Sequence, residues 1–123
     1  MSVTLCPADE TLQRAINYKI EGLYDEAIEQ FQSVLAAEPG HPQAHMELGL
    51  VYGFIGMFDE SVAELERAVS LDPESIPIRF HLAKTYCMLG MIDEAKAEFA
   101  RILEREPDNA EVQLQLSYLD DGP

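Results

Sequence analysis

The sequence is poor in basic residues, contains no tryptophan and has only two cysteines. Eight Lys and Arg side chains stand against twenty-three Asp and Glu, which gives a formal net charge of −15. A surface of this charge repels phosphate groups, so we expect no nucleic acid and no anionic membrane as partner. Cys6 and Cys87 form no CxxC pair and cannot build a disulfide framework. We therefore expect reduced thiols and a cytoplasmic location.

Long hydrophobic runs are also missing. The longest stretch nearly free of polar side chains, Leu48 to Phe58, is too short to span a bilayer. Residues 1–7 lack the basic start and long apolar core of a secretory signal. These two absences predict a protein that does not insert into membranes. The remaining composition, 47% hydrophobic and 25% charged, is typical of one folded domain at 123 residues.

The sequence does contain an internal repeat of 34 residues, without insertion or deletion. Tyrosine, glycine, proline and an Asp-Glu pair each recur three times at this spacing. The aligned sets are Tyr18, Tyr52 and Tyr86; Gly22, Gly56 and Gly90; Pro39, Pro73 and Pro107; and Asp25-Glu26, Asp59-Glu60 and Asp93-Glu94. The period predicts units at 8–41, 42–75 and 76–109, a single further helix at 110–119, an N-terminal extension at 1–7 and a tail at 120–123.

Each unit has the pattern of two helices joined by a turn. The glycine ends the first helix, because it tolerates the left-handed backbone of a helix C-terminus. The Asp-Glu pair opens the second helix, where negative side chains meet the positive end of the helix dipole. The proline ends the second helix. Since the acidic pairs recur at three helix starts, we interpret them as helix-terminal charges and not as catalytic carboxylates.

Six residues of the second unit resemble the tetratricopeptide repeat pattern of the same period. They are Leu48, Gly49, Tyr52, Leu65, Ala68 and Pro73. The chain departs from the pattern at the tryptophan position, which holds Thr11, His45 and Arg79, and at a leucine position that holds Arg14. The resemblance implies an all-α, right-handed helix–turn–helix solenoid of three units with a C-terminal capping helix, seven helices in all.

The first helix of the second unit has two apolar faces. An α-helix turns about 100° per residue, which separates two faces of this helix by roughly 150°. One face holds His45, Leu48, Gly49 and Tyr52, and the other holds Met46, Leu50, Gly53 and Phe54. The resemblance implies that the second face of each first helix lines a concave groove that contacts ligand. Carried over by position, the predicted groove residues are Leu12, Ile16, Ile20, Met46, Glu47, Leu50, Phe54, Phe80, His81, Lys84 and Met88, with Cys87, Leu114 and Tyr118 beside them.

Some family members bind a chaperone C-terminus with a clamp of Lys, Asn and Arg side chains. The matching positions here are Leu12, Ile16, Glu47, Pro77 and His81, so none of the clamp side chains is present. The resemblance therefore argues against binding of a chaperone C-terminus. An amphipathic helix or an extended apolar segment suits this groove better.

No group of residues in the sequence points to catalysis. His41 and His45 have the spacing of two metal ligands, but Pro42 separates them and no third ligand is spaced nearby. No nucleophile is positioned beside His81, and no base is evident near Cys87. We expect a protein that is not an enzyme and that uses no metal or cofactor.

Two functions remain open from the sequence. In the first, the chain is an adaptor that binds a peptide or helix of another protein, and the acidic excess favours a partner that is partly basic. In the second, it is a self-assembling structural subunit, a homo-oligomer in which another copy covers the groove or the N-terminal edge.

Overall fold

The computed structural model describes residues 7–120, which form seven α-helices and no strand. The helices are α1 (Pro7–Ile20), α2 (Tyr24–Ala37), α3 (Pro42–Phe54), α4 (Phe58–Leu71), α5 (Ile76–Met88), α6 (Ile92–Arg105) and α7 (Ala110–Asp120). The predicted all-α repeat architecture is confirmed. Helix α1 begins at the last residue of the predicted N-terminal extension, and α7 ends at the first residue of the predicted tail. The rest of those two segments lies outside the described residues.

The turn between the two helices of a unit has the same geometry in all three units. Gly22, Gly56 and Gly90 have φ values of 80°, 83° and 75°, the left-handed region that favours glycine. The next backbone N–H donates to the carbonyl five residues earlier: Leu23 to Tyr18 at 2.9 Å, Met57 to Tyr52 at 2.8 Å and Met91 to Tyr86 at 2.9 Å. This Schellman arrangement ends each first helix where the repeated glycine predicts it.

The turn between consecutive units is also repeated. One side chain accepts a hydrogen bond from a backbone N–H in the first turn of the following helix. The three pairs are His41 Nδ1 with Ala44 N at 3.2 Å, Ser75 Oγ with Ile78 N at 3.3 Å and Asn109 Oδ1 with Val112 N at 3.1 Å. His41 therefore caps helix α3.

The core is built from equivalent positions of the three units. Phe31, Leu65 and Phe99 are 34 residues apart and fully buried. In unit 2, α3 and α4 are in close contact at Gly49, where an added Cβ would lie 3.0 Å from Leu65 Cγ. The Ser61 hydroxyl donates to the carbonyl of Gly49 at 2.7 Å across this contact. Glycine at this position therefore lets α3 and α4 approach closely.

Polar side chains that form hydrogen bonds occupy the tryptophan position of the pattern in this chain. Each of them bonds the carbonyl of the proline six residues earlier, near the end of the preceding unit. The pairs are His45 with Pro39 at 2.8 Å, Arg79 with Pro73 at 2.8 Å and Gln113 with Pro107 at 2.6 Å. His45 also bonds Glu64 at 2.6 Å, and Arg79 bonds Glu98 at 2.5 Å. These side chains join consecutive units by hydrogen bonds where the pattern uses an aromatic ring.

The two ends of the array differ from each other. At the C-terminal end, α7 buries Val112 against the last core cluster and leaves Gln113 and Ser117 exposed, as a capping helix does. At the N-terminal end, α1 buries Leu12 and Ala15. Arg14, which the pattern placed on the packing face, is exposed and donates to Gln30 at 3.4 Å.

Candidate functional site

The candidate site is the face of α1, α3 and α5 that the predicted groove residues define, called here the groove face. Helix α3 contacts both α1 and α5, so these first helices of the three units lie side by side. The second helices, α2, α4 and α6, each pack against the first helix of their own unit. Side chains at equivalent positions of α1, α3 and α5 are thereby brought onto one surface.

The predicted groove residues differ widely in exposure. Ile20, Phe54, Lys84 and Met88 are exposed. Half-buried residues form a second group: Ile16, Met46, Leu50, Phe80 and His81. On the capping helix, Leu114 and Tyr118 are 50% and 64% exposed, while Cys87 is half-buried. The surface open to a partner is therefore mostly apolar.

Two of the predicted groove residues do not offer their side chains to a partner. Leu12 is buried in the core cluster that α1 forms with α2 and α3. Glu47 is buried as well, and its carboxylate lies 2.5 Å from Lys19 Nζ. The sequence analysis missed Lys19, because the two residues are 28 positions apart and no periodicity relates them.

The centre of the groove face is polar but nearly neutral. The opposite charges of Lys19 and Glu47 cancel within their ion pair. Burial lowers the pKa of His81; the charges of Lys19 and Lys84 lower it further, while Glu47 opposes them. Lys84 Nζ lies 5.8 Å from the centre of the Phe80 ring. Lys84 is thus an exposed positive charge on this face.

The acidic excess lies elsewhere. Helices α3 and α5 contain one acidic residue between them, Glu47, whose charge Lys19 balances, and α1 carries its two acids, Asp9 and Glu10, in its first turn. Each second helix, in contrast, opens with an exposed Asp-Glu pair and carries further acids along its length. The negative charge therefore surrounds the groove face and is not spread over it.

The two edges of the groove face have different shapes. At the N-terminal ends of α3 and α5 there is a pocket of about 330 Å³. It is lined by His41, Pro42, Gln43, Met46, Asp72, Ser75, Pro77 and Ile78. At the C-terminal ends of α1, α3 and α5 the exposed side chains of Ile20, Phe54 and Met88 stand at equivalent positions. One edge is thus concave, and the other presents projecting apolar groups.

The described residues show no arrangement typical of metal chemistry. Over this part of the chain, no three His, Cys, Asp or Glu side chains converge so that they could hold a metal ion. Burial raises the pKa of the Cys87 thiol, against the opposing charge of Lys84, so the thiol stays protonated at neutral pH. No helix within residues 7–120 combines the length and the apolar character needed to cross a bilayer.

Comparisons with known proteins agree on one family. Two family models, each described as tetratricopeptide repeat, match residues 12–76 and 55–116. A comparison with curated protein sequences finds no match.

Several solved structures share the fold. The first TPR domain of Spaghetti (RPAP3), bound to the HSP90 peptide SRMEEVD, is 25% identical with a TM-score of 0.85, over 92% of this chain and 90% of that one. The second TPR domain of human RPAP3, in complex with the HSP70 peptide SGPTIEEVD, is 24% identical with a TM-score of 0.84, over 94% and 96%. The MamA protein is 22% identical with a TM-score of 0.84, over 93% of this chain and 62% of that one.

Proposed function

Because the chain belongs to the tetratricopeptide repeat family, we propose that it is a protein-binding adaptor whose groove face takes a peptide or an amphipathic helix of a partner protein. Two structures of the same fold hold a peptide, which supports binding as the task of this fold here. The observation that carries the proposal is the set of projecting apolar side chains on the groove face. Ile20 is 74%, Phe54 59% and Met88 61% exposed in a chain of net charge −15. Large apolar side chains that are exposed together on one face of a strongly charged protein mark interaction sites.

The ligand we propose differs from the chaperone peptides in those structures. At the positions of the carboxylate clamp, Leu12 and Glu47 are both buried, and Glu47 is already paired with Lys19. A terminal carboxylate would find none of the Lys, Asn and Arg donors of the clamp at these positions, so it would lose its hydration without gaining those partners. An apolar or amphipathic segment would bury no charged group at these positions, so it would not have this loss of hydration. The acids around the groove face favour basic residues in the parts of the partner that flank the segment.

The described structure offers neither a metal-binding cluster nor an activated thiol, so we propose binding and not catalysis as the activity. We also propose a cytoplasmic setting, in which the half-buried Cys87 stays reduced. Nucleic acid is a poor partner for the whole chain, because the net charge repels phosphate.

Self-assembly is the second candidate function. It is favoured by Ile20, which is 74% exposed at the end of the first helix of the array and would be covered by another copy. Light scattering at micromolar concentration separates the two candidates. A monomer supports the adaptor, and a stable dimer that dissociates on replacement of Ile20 with serine supports the assembly subunit.

The proposed function is tested by capturing a partner from a lysate of the source cells with the immobilised full chain. In the test variant, Leu50 and Phe54 are both replaced with glutamate. In the control variant, Ala63 and Ala97, which are exposed on α4 and α6, receive the same replacement. We expect the test variant to lose the partner with its helicity retained and the control to keep it. Loss of helicity in parallel with binding would show that these residues maintain the fold, and the groove assignment would fail.

A further inference from the structure

The exposed apolar residues are concentrated at the turns within the units. Eight large hydrophobic side chains are exposed in the described part of the chain, and six of them flank the glycine turns. We call this surface the turn edge. Its members are Ile20, Leu23, Phe54, Ile55, Met57 and Met88, with exposed fractions between 39% and 74%. The turn edge shares three residues with the groove face, Ile20, Phe54 and Met88, which stand at the C-terminal ends of α1, α3 and α5.

Units 1 and 2 are in contact along the turn edge. The ring of Tyr24 in α2 lies 5.7 Å from that of Phe54 in α3, centre to centre, so the first turn touches the second unit. Tyr24, Phe58 and Ile92 are equivalent residues at the starts of α2, α4 and α6, and all three are half-buried. Neighbouring helices pack about 10 Å apart, so three units give a row roughly 20 Å long.

Negative charge borders this row along its whole length. Seven acidic side chains lie within six residues of the three turn glycines: Glu21, Asp25, Glu26, Asp59, Glu60, Asp93 and Glu94. All seven are exposed, and within residues 9–120 none forms an ion pair. The nearby cations form no ion pair with these acids: Lys19 pairs with Glu47 and Lys96 with Asp120. Lys84, six residues before Gly90, is exposed and lies near the Phe80 ring. Helix dipoles favour these acids at the starts of α2, α4 and α6 but do not explain the exposed apolar neighbours.

We infer that the turn edge is the docking surface for a basic amphipathic α-helix of a partner protein. Its apolar side chains would pack along Ile20, Phe54 and Met88, and its Lys and Arg side chains would meet the bordering acids. A row of roughly 20 Å matches about 14 helical residues, and a spacing of about 10 Å between units matches seven residues of helix. The partner helix therefore has apolar residues at heptad spacing.

The charge pattern argues against a second copy of this chain as the occupant. Two copies that met at their turn edges would bring the same seven acids against each other, and the exposed Lys84 of each copy would offset only a small part of that charge. The inference rests on the proposed function in one respect, that the chain binds another protein. It adds the place where the partner docks and the chemistry of its helix.

The test titrates a synthetic 18-residue peptide into the full chain labelled with ¹⁵N. The peptide carries leucine at the two core positions of each heptad and lysine at the remaining positions. We expect the largest amide shifts at residues 20–26, 54–60 and 88–94. A peptide with glutamate in place of every lysine should bind at least about tenfold more weakly, and added salt should slow association of the lysine peptide.

Matched variants separate specific docking from general attraction to an acidic protein. The edge variant changes Glu26, Glu60 and Glu94 to Gln, whereas the control changes Glu29, Glu104 and Glu111 to Gln. Both remove three exposed charges that form no ion pair among the described residues. We expect about a tenfold loss of affinity in the edge variant and less than about twofold in the control. Circular dichroism verifies that both variants stay folded.

A third variant, Ile20→Ser with Met88→Ser, tests the apolar half of the surface and should also weaken binding about tenfold. Equal weakening by the two charge variants would overturn the inference, as would shifts centred on Met46, Leu50 and Lys84. Failure of the lysine peptide to bind at all would also overturn the inference. If the peptide does not bind, or if it shifts amides around Met46, Leu50 and Lys84 instead, the capture experiment still tests the proposed function independently. A dimer in light scattering that the serine variant abolishes would assign the surface to a second copy and refute the inference.

Discussion

Replacing Gly49 with alanine is expected to destabilise the chain, although alanine is the better helix former. A Cβ at this position would lie 3.0 Å from Leu65 Cγ and 3.1 Å from the carbonyl oxygen of Ser61. Leu65 is fully buried, and the Ser61 oxygen belongs to the backbone, so neither moves easily. Overpacking of this kind costs about 1–3 kcal/mol, while the change from glycine to alanine inside a helix gains about 1 kcal/mol. The expected net loss is about 1 kcal/mol.

Gly53 on the same helix provides the matched control. An added Cβ there would meet only the Ser61 hydroxyl, at 3.4 Å. Gly53→Ala should therefore keep most of the gain in helix propensity and stabilise the chain by about 0.5–1 kcal/mol. Urea unfolding followed by circular dichroism measures both variants, and we expect a difference of about 2 kcal/mol between them. Equal free energies of unfolding would refute the close contact between α3 and α4. Units 1 and 3 carry Ala15 and Ala83 at the equivalent position, so this contact is a property of unit 2.

Two further predictions concern histidines. His45→Ala should cost about 2–3 kcal/mol in the same urea assay, because two partly buried hydrogen bonds, one to the Glu64 carboxylate, are lost. His45→Arg, which introduces the residue found as Arg79 in unit 3, should cost less, and equal losses would contradict a bonding role. The NMR titration midpoint of His81 should lie below 6.5 and rise in Lys84→Met, since burial and the lysine charge both lower its pKa. The pKa of His81 is lower in the folded than in the unfolded chain. Its contribution to the free energy of unfolding is therefore fully present above the unfolded-state pKa and is lost as the pH falls through the folded-state pKa. A free energy of unfolding that does not change over this pH range would contradict the half-buried position of His81.

The number and the type of the helices, with most of their boundaries, were predictable from the 34-residue period. The signals that set them are local. A glycine in the left-handed region, a bond from Leu23 to the carbonyl of Tyr18 and a cap such as Ser75 each involve residues within five positions of one another. Because these interactions are short in sequence, their residues recur with the repeat. The sequence alone therefore determined the architecture and put Ile20, Phe54 and Met88 at equivalent positions of the three units.

The tertiary structure decided which of the predicted side chains remain open to a partner. Leu12 and Ile20 were assigned to the same face of α1, yet the first is buried and the second is 74% exposed. Helical periodicity gives the direction of a side chain from its own axis but not which neighbouring helix covers it. The pairing of Lys19 with Glu47, 28 positions apart, depends in the same way on where α1 lies against α3. The separation of the exposed acids from the groove face also depends on tertiary packing. The sequence gives the position of each acid along the chain, but the packing of the helices decides on which surface that acid lies.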